Sequence, residues 1–129
     1  MTPNKVLLSE KDFYRVVKRA IASIPKEIRR HLDNVLISVR KRPSRNMLID
    51  LGLSPDRPLL GLYVGAPLSV RTALYPPLYP DRIYIFQEPL EAVCHTTEAL
   101  EEQIRITVVH EIAHFLGITE ERLVELGYG

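Results

Sequence analysis

Residues 98–116 contain neither proline nor glycine, although the chain places ten prolines and six glycines elsewhere, and so long an uninterrupted run dictates a helix near the end of the sequence. Leu100, Ile104, Thr107, Val108, Glu111 and Phe115 fall on or near one stripe of that helix. Gly117 follows where a helix closes in the left-handed conformation, giving a helix of about five turns and a sharp change of direction after it.

His110-Glu111-Ile112-Ala113-His114 lies late in this helix. Residues four apart share a helix face, so both imidazoles aim at one point, which is the requirement of a metal site. Glu111, one step from the first imidazole, can reach a water held by the ion and take its proton. Beyond the turn at Gly117, Glu120 can return a carboxylate as a third protein ligand. Val108, Val109, Ile112, Ala113, Phe115 and Leu116 surround the motif, which predicts a helix buried on most sides. An unpartnered polar group there costs about 1–3 kcal/mol, and one cation satisfies three at once, whereas ordinary core or surface histidines leave that cost unmet. Two His and a carboxylate also describe a non-haem Fe(II) site, but an oxygenase has no comparable need for a base beside its first ligand.

In the string 107–118, Thr-Val-Val-His-Glu-Ile-Ala-His-Phe-Leu-Gly-Ile, with Glu120-Glu121-Arg122-Leu123 after it, the chain resembles the small bacterial zincin-like metallopeptidases of minimal size. Leu60-Gly61-Leu62-Tyr63-Val64-Gly65-Ala66-Pro67-Leu68 and Asp81-Arg82-Ile83-Tyr84-Ile85-Phe86 extend the likeness, which covers the second half well and the first half loosely. The resemblance implies Zn²⁺ held by His110, His114 and Glu120, with Glu111 as general base. Members of the family often carry Asp where this chain has Glu120, which leaves the third place open to Glu121, Glu125 or water. The spacing through Gly117 to Glu120 is similar to that of metzincins, yet no methionine follows the motif, the two being Met1 and Met47. A gluzincin arrangement takes its third ligand from a later helix, where Glu125 is the last candidate.

The N-terminal half reads as scaffold. Ser9 can cap a helix whose Phe13, Val16, Val17, Ala20, Ile21 and Ile24 form one buried face, ended or kinked by Pro25. Val35-Leu36-Ile37-Ser38-Val39 has the β-branched content of a strand. Residues 59–64 supply a second strand after the turn Ser54-Pro55-Asp56-Arg57-Pro58, and residues 82–86 a third in which Ile83 and Ile85 alternate with Tyr84 and Phe86. The expected architecture is α+β: one small zincin-like domain over residues 1–129, with a short mixed sheet against the active-site helix and the N-terminal helix. Tyr75-Pro76-Pro77-Leu78-Tyr79-Pro80 reads as a stiff surface connection, or as a rim if Tyr75 or Tyr79 turns in toward a developing oxyanion.

Composition narrows the partners. A chain of 129 residues suits one domain without a separate substrate lobe, so its cleft should be shallow. A net charge of +1 lacks the global positive field of a dedicated nucleic-acid binder, and the basic run Arg40-Lys41-Arg42-Pro43-Ser44-Arg45 has no interleaved aromatics and reads as a solvated loop. The single cysteine, Cys94, precludes an internal disulfide and reads as a buried apolar residue. With no leader-like start and no apolar run of membrane-spanning length, the expected location is the cytoplasm. His31 and His95 lack helical partners and read as ordinary histidines. The expected activity is hydrolysis of a peptide or protein substrate, and the zincin-like resemblance implies that this substrate lies along the edge of the 82–86 strand. The alternatives are a regulatory or structural protein keeping the fold without cleavage, and a protease acting only on one regulatory partner.

Overall fold

Helix α1 (Glu10–Ala22) starts where Ser9, in extended backbone, accepts the Asp12 N–H at 3.1 Å. Glu10 and Asp12 sit in its first turn, at the positive end of the helix dipole. Phe13, Val16, Val17 and Ala20 are all buried and Ile24 completes the face beyond the helix, as the spacing predicts, while Ile21 at its margin is only half-buried. The computed structural model describes residues 6–54, 56, 58–65 and 81–128. The expectations for Tyr75, Tyr79 and the rest of the proline-rich stretch, for Pro55 and Arg57 of the turn, and for Ala66-Pro67-Leu68 lie outside them. Pro25 does more than end α1: it opens a short helical passage, α2 (Lys26–Arg29) and a 3-10 turn (Arg30–Leu32).

The three expected strands all form, with bounds moved by a residue or two: β1 (Val35–Arg40), β2 (Gly61–Val64) and β3 (Asp81–Phe86). Their order is β1-β3-β2, with β1 parallel to β3 and β2 antiparallel to it, so the sheet is mixed and the fold is α+β. Ile83 lies opposite Ile37 on one side and Tyr63 on the other. This order overturns the expectation of a substrate along residues 82–86. Both edges of β3 are already paired, so no row of backbone donors and acceptors remains there for a peptide; the outer edges belong to β1 and β2. Phe86 also departs from the simple alternation. Ile83 and Ile85 are fully buried while Tyr84 is partly exposed, yet Phe86 is buried too, because at that point its N–H bonds to the Leu60 carbonyl and the chain enters the next helix.

The basic run resolves into a strand end, a turn and a cap rather than a free loop. Arg40 closes β1, and the Ser44 hydroxyl accepts the Met47 N–H at 3.1 Å to start α3 (Arg45–Asp50). Lys41 and Arg42 face Glu10 and Glu88 at 3.8 and 3.4 Å, exposed pairs that add little stability but balance local charge. Helix α4 (Gln87–Val93) tolerates Pro89 because the N–H groups of a first turn have no partner within the helix.

Helix α5 (Thr97–Leu116) is the axis of the molecule. Thr96 caps it by accepting the Ala99 N–H at 3.0 Å, α1 packs along it, and Arg19 of α1 reaches Glu101 at 2.8 Å. Its Leu100, Ile104, Val108 and Ile112 meet Ile83 and Ile85 of the sheet in one core, where burial of each such side chain contributes about 1.5–3 kcal/mol. Cys94 joins this core as expected, and desolvation there pushes its thiol pKa up. Burial on most sides holds through Ala113 and fails in the last turn, where Phe115 is 50% and Leu116 41% exposed. After Gly117 comes α6 (Glu120–Glu125), capped by Thr119 and anchored in the core by Leu123. Among the described residues, no helix is long and apolar enough to cross a membrane.

Candidate metal centre

Two stripes of α5 leave the core side by side. One consists of Thr107, Glu111 and Phe115, four residues apart, and it faces strand β2. A Cβ on Gly61 would lie 2.6 Å from the Thr107 methyl and 3.0 Å from the Tyr84 carbonyl oxygen, so only glycine admits strand and helix this close. One turn further, the outward N–H of Tyr63 donates to Glu111 Oε1 at 2.9 Å. Another turn on, the Tyr63 ring stacks on Phe115 with centroids 4.2 Å apart and planes 17° from parallel. The Tyr63 hydroxyl donates to the buried Asp81 carboxylate at the start of β3. The Glu111 side chain is thereby fixed by backbone that the sheet itself holds in place.

The other stripe is His110 and His114, and it faces α6. Gly117, at φ 75°, ends α5 in a Schellman motif: its N–H donates to the His114 carbonyl at 3.2 Å and that of Ile118 to the Ala113 carbonyl at 2.8 Å. The reversal swings the first residue of α6 back over the helix end. His114 Nε2 stands 3.1 Å from Glu120 Oε1. Donor atoms of His110, His114 and Glu120 all lie within 4.8 Å of one another. Among the described residues this is the group of three or more such side chains that stands close enough for one ion, so the structure brings together the three residues the sequence singled out. Glu121 and Glu125 are outside it, and Glu125 pairs instead with Arg122 at 2.7 Å. His31 and His95 are exposed and outside it as well.

The donor set suits zinc in kind: two imidazoles and one carboxylate. It suits it in spacing on one side, since a tetrahedral ion with bonds of about 2.0–2.2 Å holds its donors about 3.3–3.5 Å apart, close to the His114–Glu120 separation. The burial expected around the motif is not reached at its metal-facing end. Glu111 and His110 are half-buried, but the His114 and Glu120 side chains are 60% and 64% exposed, so water can satisfy both and burial alone does not demand an ion.

Sequence reasoning missed three participants. Tyr63 enters through its backbone, which no side-chain pattern announces. Gly61 had a signal, because an isolated glycine within a strand marks close approach of another element. Tyr128 also had one: Gly127, at φ 89°, repeats at the end of α6 the Schellman motif of Gly117, with the Tyr128 N–H on the Leu123 carbonyl at 2.8 Å. That second turn sets the Tyr128 carbonyl 2.7 Å from His110 Nε2.

Residues 32–129 match the family model described as zincin-like metallopeptidase. A solved structure of a conserved hypothetical protein from Thermus thermophilus superimposes with a TM-score of 0.56 at 20% identity, over 84% of this chain and 94% of that one. At that identity the likeness concerns the fold. No curated protein matches the chain.

Proposed function

The chain belongs to the zincin-like metallopeptidase family, and on that premise we propose that it is a zinc-dependent peptidase in which His110, His114 and Glu120 hold the ion and Glu111 is the general base. The observation that carries this reading is the convergence of the three donors within 4.8 Å at the end of the helix that also presents Glu111.

A bound Zn²⁺ supplies Lewis acidity, at a water and at the carbonyl of a peptide bond. The chain's own residues do the rest. Glu111 Oε1 is committed to the Tyr63 N–H, so Oε2 is the oxygen left to take a proton from the attacking water and return it to the departing amine. Holding one carboxylate oxygen on backbone limits the rotation of the other, which keeps the base aimed without the entropy of a free side chain. Exposure of His114 and Glu120 gives a site open to an extended polypeptide, and a macromolecular substrate fits it better than a small molecule needing enclosure.

The test is cleavage of unfolded casein by zinc-loaded protein. Replacing Glu111→Gln should lower the rate by about 10²–10⁴-fold while zinc content stays the same. Unchanged cleavage by this variant would remove Glu111 as base. Full zinc retention by His114→Ala would remove the ligand set.

A further inference from the structure

The segment after α6 ends on the imidazole that the proposed site needs. Tyr128 is drawn to this place by two features of its own, the left-handed Gly127 and a half-buried side chain packed on the core. A carbonyl oxygen only accepts, so the His110 nitrogen facing it at 2.7 Å carries hydrogen and has no lone pair to offer a metal. That distance is an ordinary direct N–H···O bond, shorter than the spacing of about 3.3 Å between two donors on one tetrahedral ion. The ring positions agree. Imidazoles sharing an ion have centroids about 5–5.5 Å apart, whereas those of His110 and His114 are 6.3 Å apart and nearly perpendicular at 79°. His114 already stands beside Glu120; His110 is drawn toward Tyr128 instead.

We propose that the Gly127–Tyr128 carbonyl turn is an internal competitor of the metal for His110, so that loading the site requires this turn to release the imidazole. The proposal rests on the reading of His110, His114 and Glu120 as ligands. On release the neutral imidazole carries its hydrogen on Nδ1 instead of Nε2, so that one hydrogen bond is traded for one coordinate bond at Nε2, with affinity reduced by the fraction of molecules in which the turn is closed. Weakening the turn therefore tightens metal binding, the opposite of what loss of a ligand or of a supporting contact does.

The experiment is titration of the full chain with Co²⁺, followed by its visible absorption, in the wild type, Gly127→Ala, Tyr128→Ala and His114→Ala. A Cβ at Gly127 meets no atom within 4 Å, so Gly127→Ala disfavours only the left-handed backbone, and it should tighten binding by roughly three- to tenfold. Tyr128→Ala removes the packing of the same turn and should shift affinity in the same direction, with thermal unfolding confirming that both variants are folded. His114→Ala should abolish the signal. Loss in His114→Ala with unchanged affinity in the two turn variants overturns the competitor and leaves the metal site standing. Loss in His114→Ala with weaker binding in the turn variants also overturns it, and makes Tyr128 a supporting or ligating group. Binding that survives in His114→Ala overturns both.

Discussion

The two stripes that leave the core on α5 are built to different standards. Toward β2, Glu111 is held by a strand that is itself paired along its length, set at contact distance by Gly61 and closed by the Tyr63–Phe115 stack. Toward α6, His114 meets a group carried by a six-residue helix with a single buried residue, Leu123, and His110 one in the turn that follows it, and both His114 and Glu120 are largely exposed. A general base needs a fixed aim before any substrate arrives, and a sheet provides it. Ligands need only converge on an ion, and a short helix suffices for that while leaving the metal side free to rearrange. Variants on the two sides should therefore fail in different ways.

The largest separation is expected between His114→Ala and Glu111→Gln. The first should lose at least a hundredfold in zinc affinity by chelator competition, whereas the second keeps its zinc and loses cleavage. Equal losses of metal in both would break the distinction. Next comes Leu123→Ala, which removes the buried anchor of α6 and should destabilise the fold by about 2–5 kcal/mol in urea unfolding while weakening zinc binding. On the strand side, Gly61→Ala should cost about 1–3 kcal/mol through its contact with Thr107 and leave zinc affinity near wild type. Adding Thr107→Ser, which deletes the offending methyl, should recover part of that loss, and absence of any recovery would place the strain elsewhere.

The smallest effect concerns Cys94, outside both stripes. Burial raises its pKa in the folded chain, so the unfolded chain's thiol ionises first as pH rises. Its contribution to stability is intact below the usual thiol range and declines above it. Urea midpoints followed across the alkaline range should fall slightly less in Cys94→Ala than in the wild type, and identical slopes would contradict the shift.

Much of this arrangement is legible in residues alone, and the reason is local. The cap at Ser9, the face from Phe13 to Ala20, the stop at Gly117 and the pairing of His110 with His114 each depend on spacings within a few residues, which helix geometry fixes. What escaped depends on partners far away in sequence. The order β1-β3-β2 decides which strand has a free edge, and no strand's own pattern encodes it. The Tyr63 N–H meets Glu111 across 48 residues through backbone, and the exposure of His114 follows from how little of α6 covers the end of α5. Glu120 lay between: its position after Gly117 suggested a return, but the choice over Glu121 and Glu125 rests on the phase of α6, set by the Thr119 cap.

The most direct measurement is an anomalous difference map at the zinc absorption edge from crystals of the full chain grown with zinc. A peak bonded at once to His110, His114 and Glu120, with Glu111 still on the Tyr63 N–H, is the predicted result. A map with no peak at these three residues, or a peak held by other groups while the two imidazoles stay apart, would contradict it.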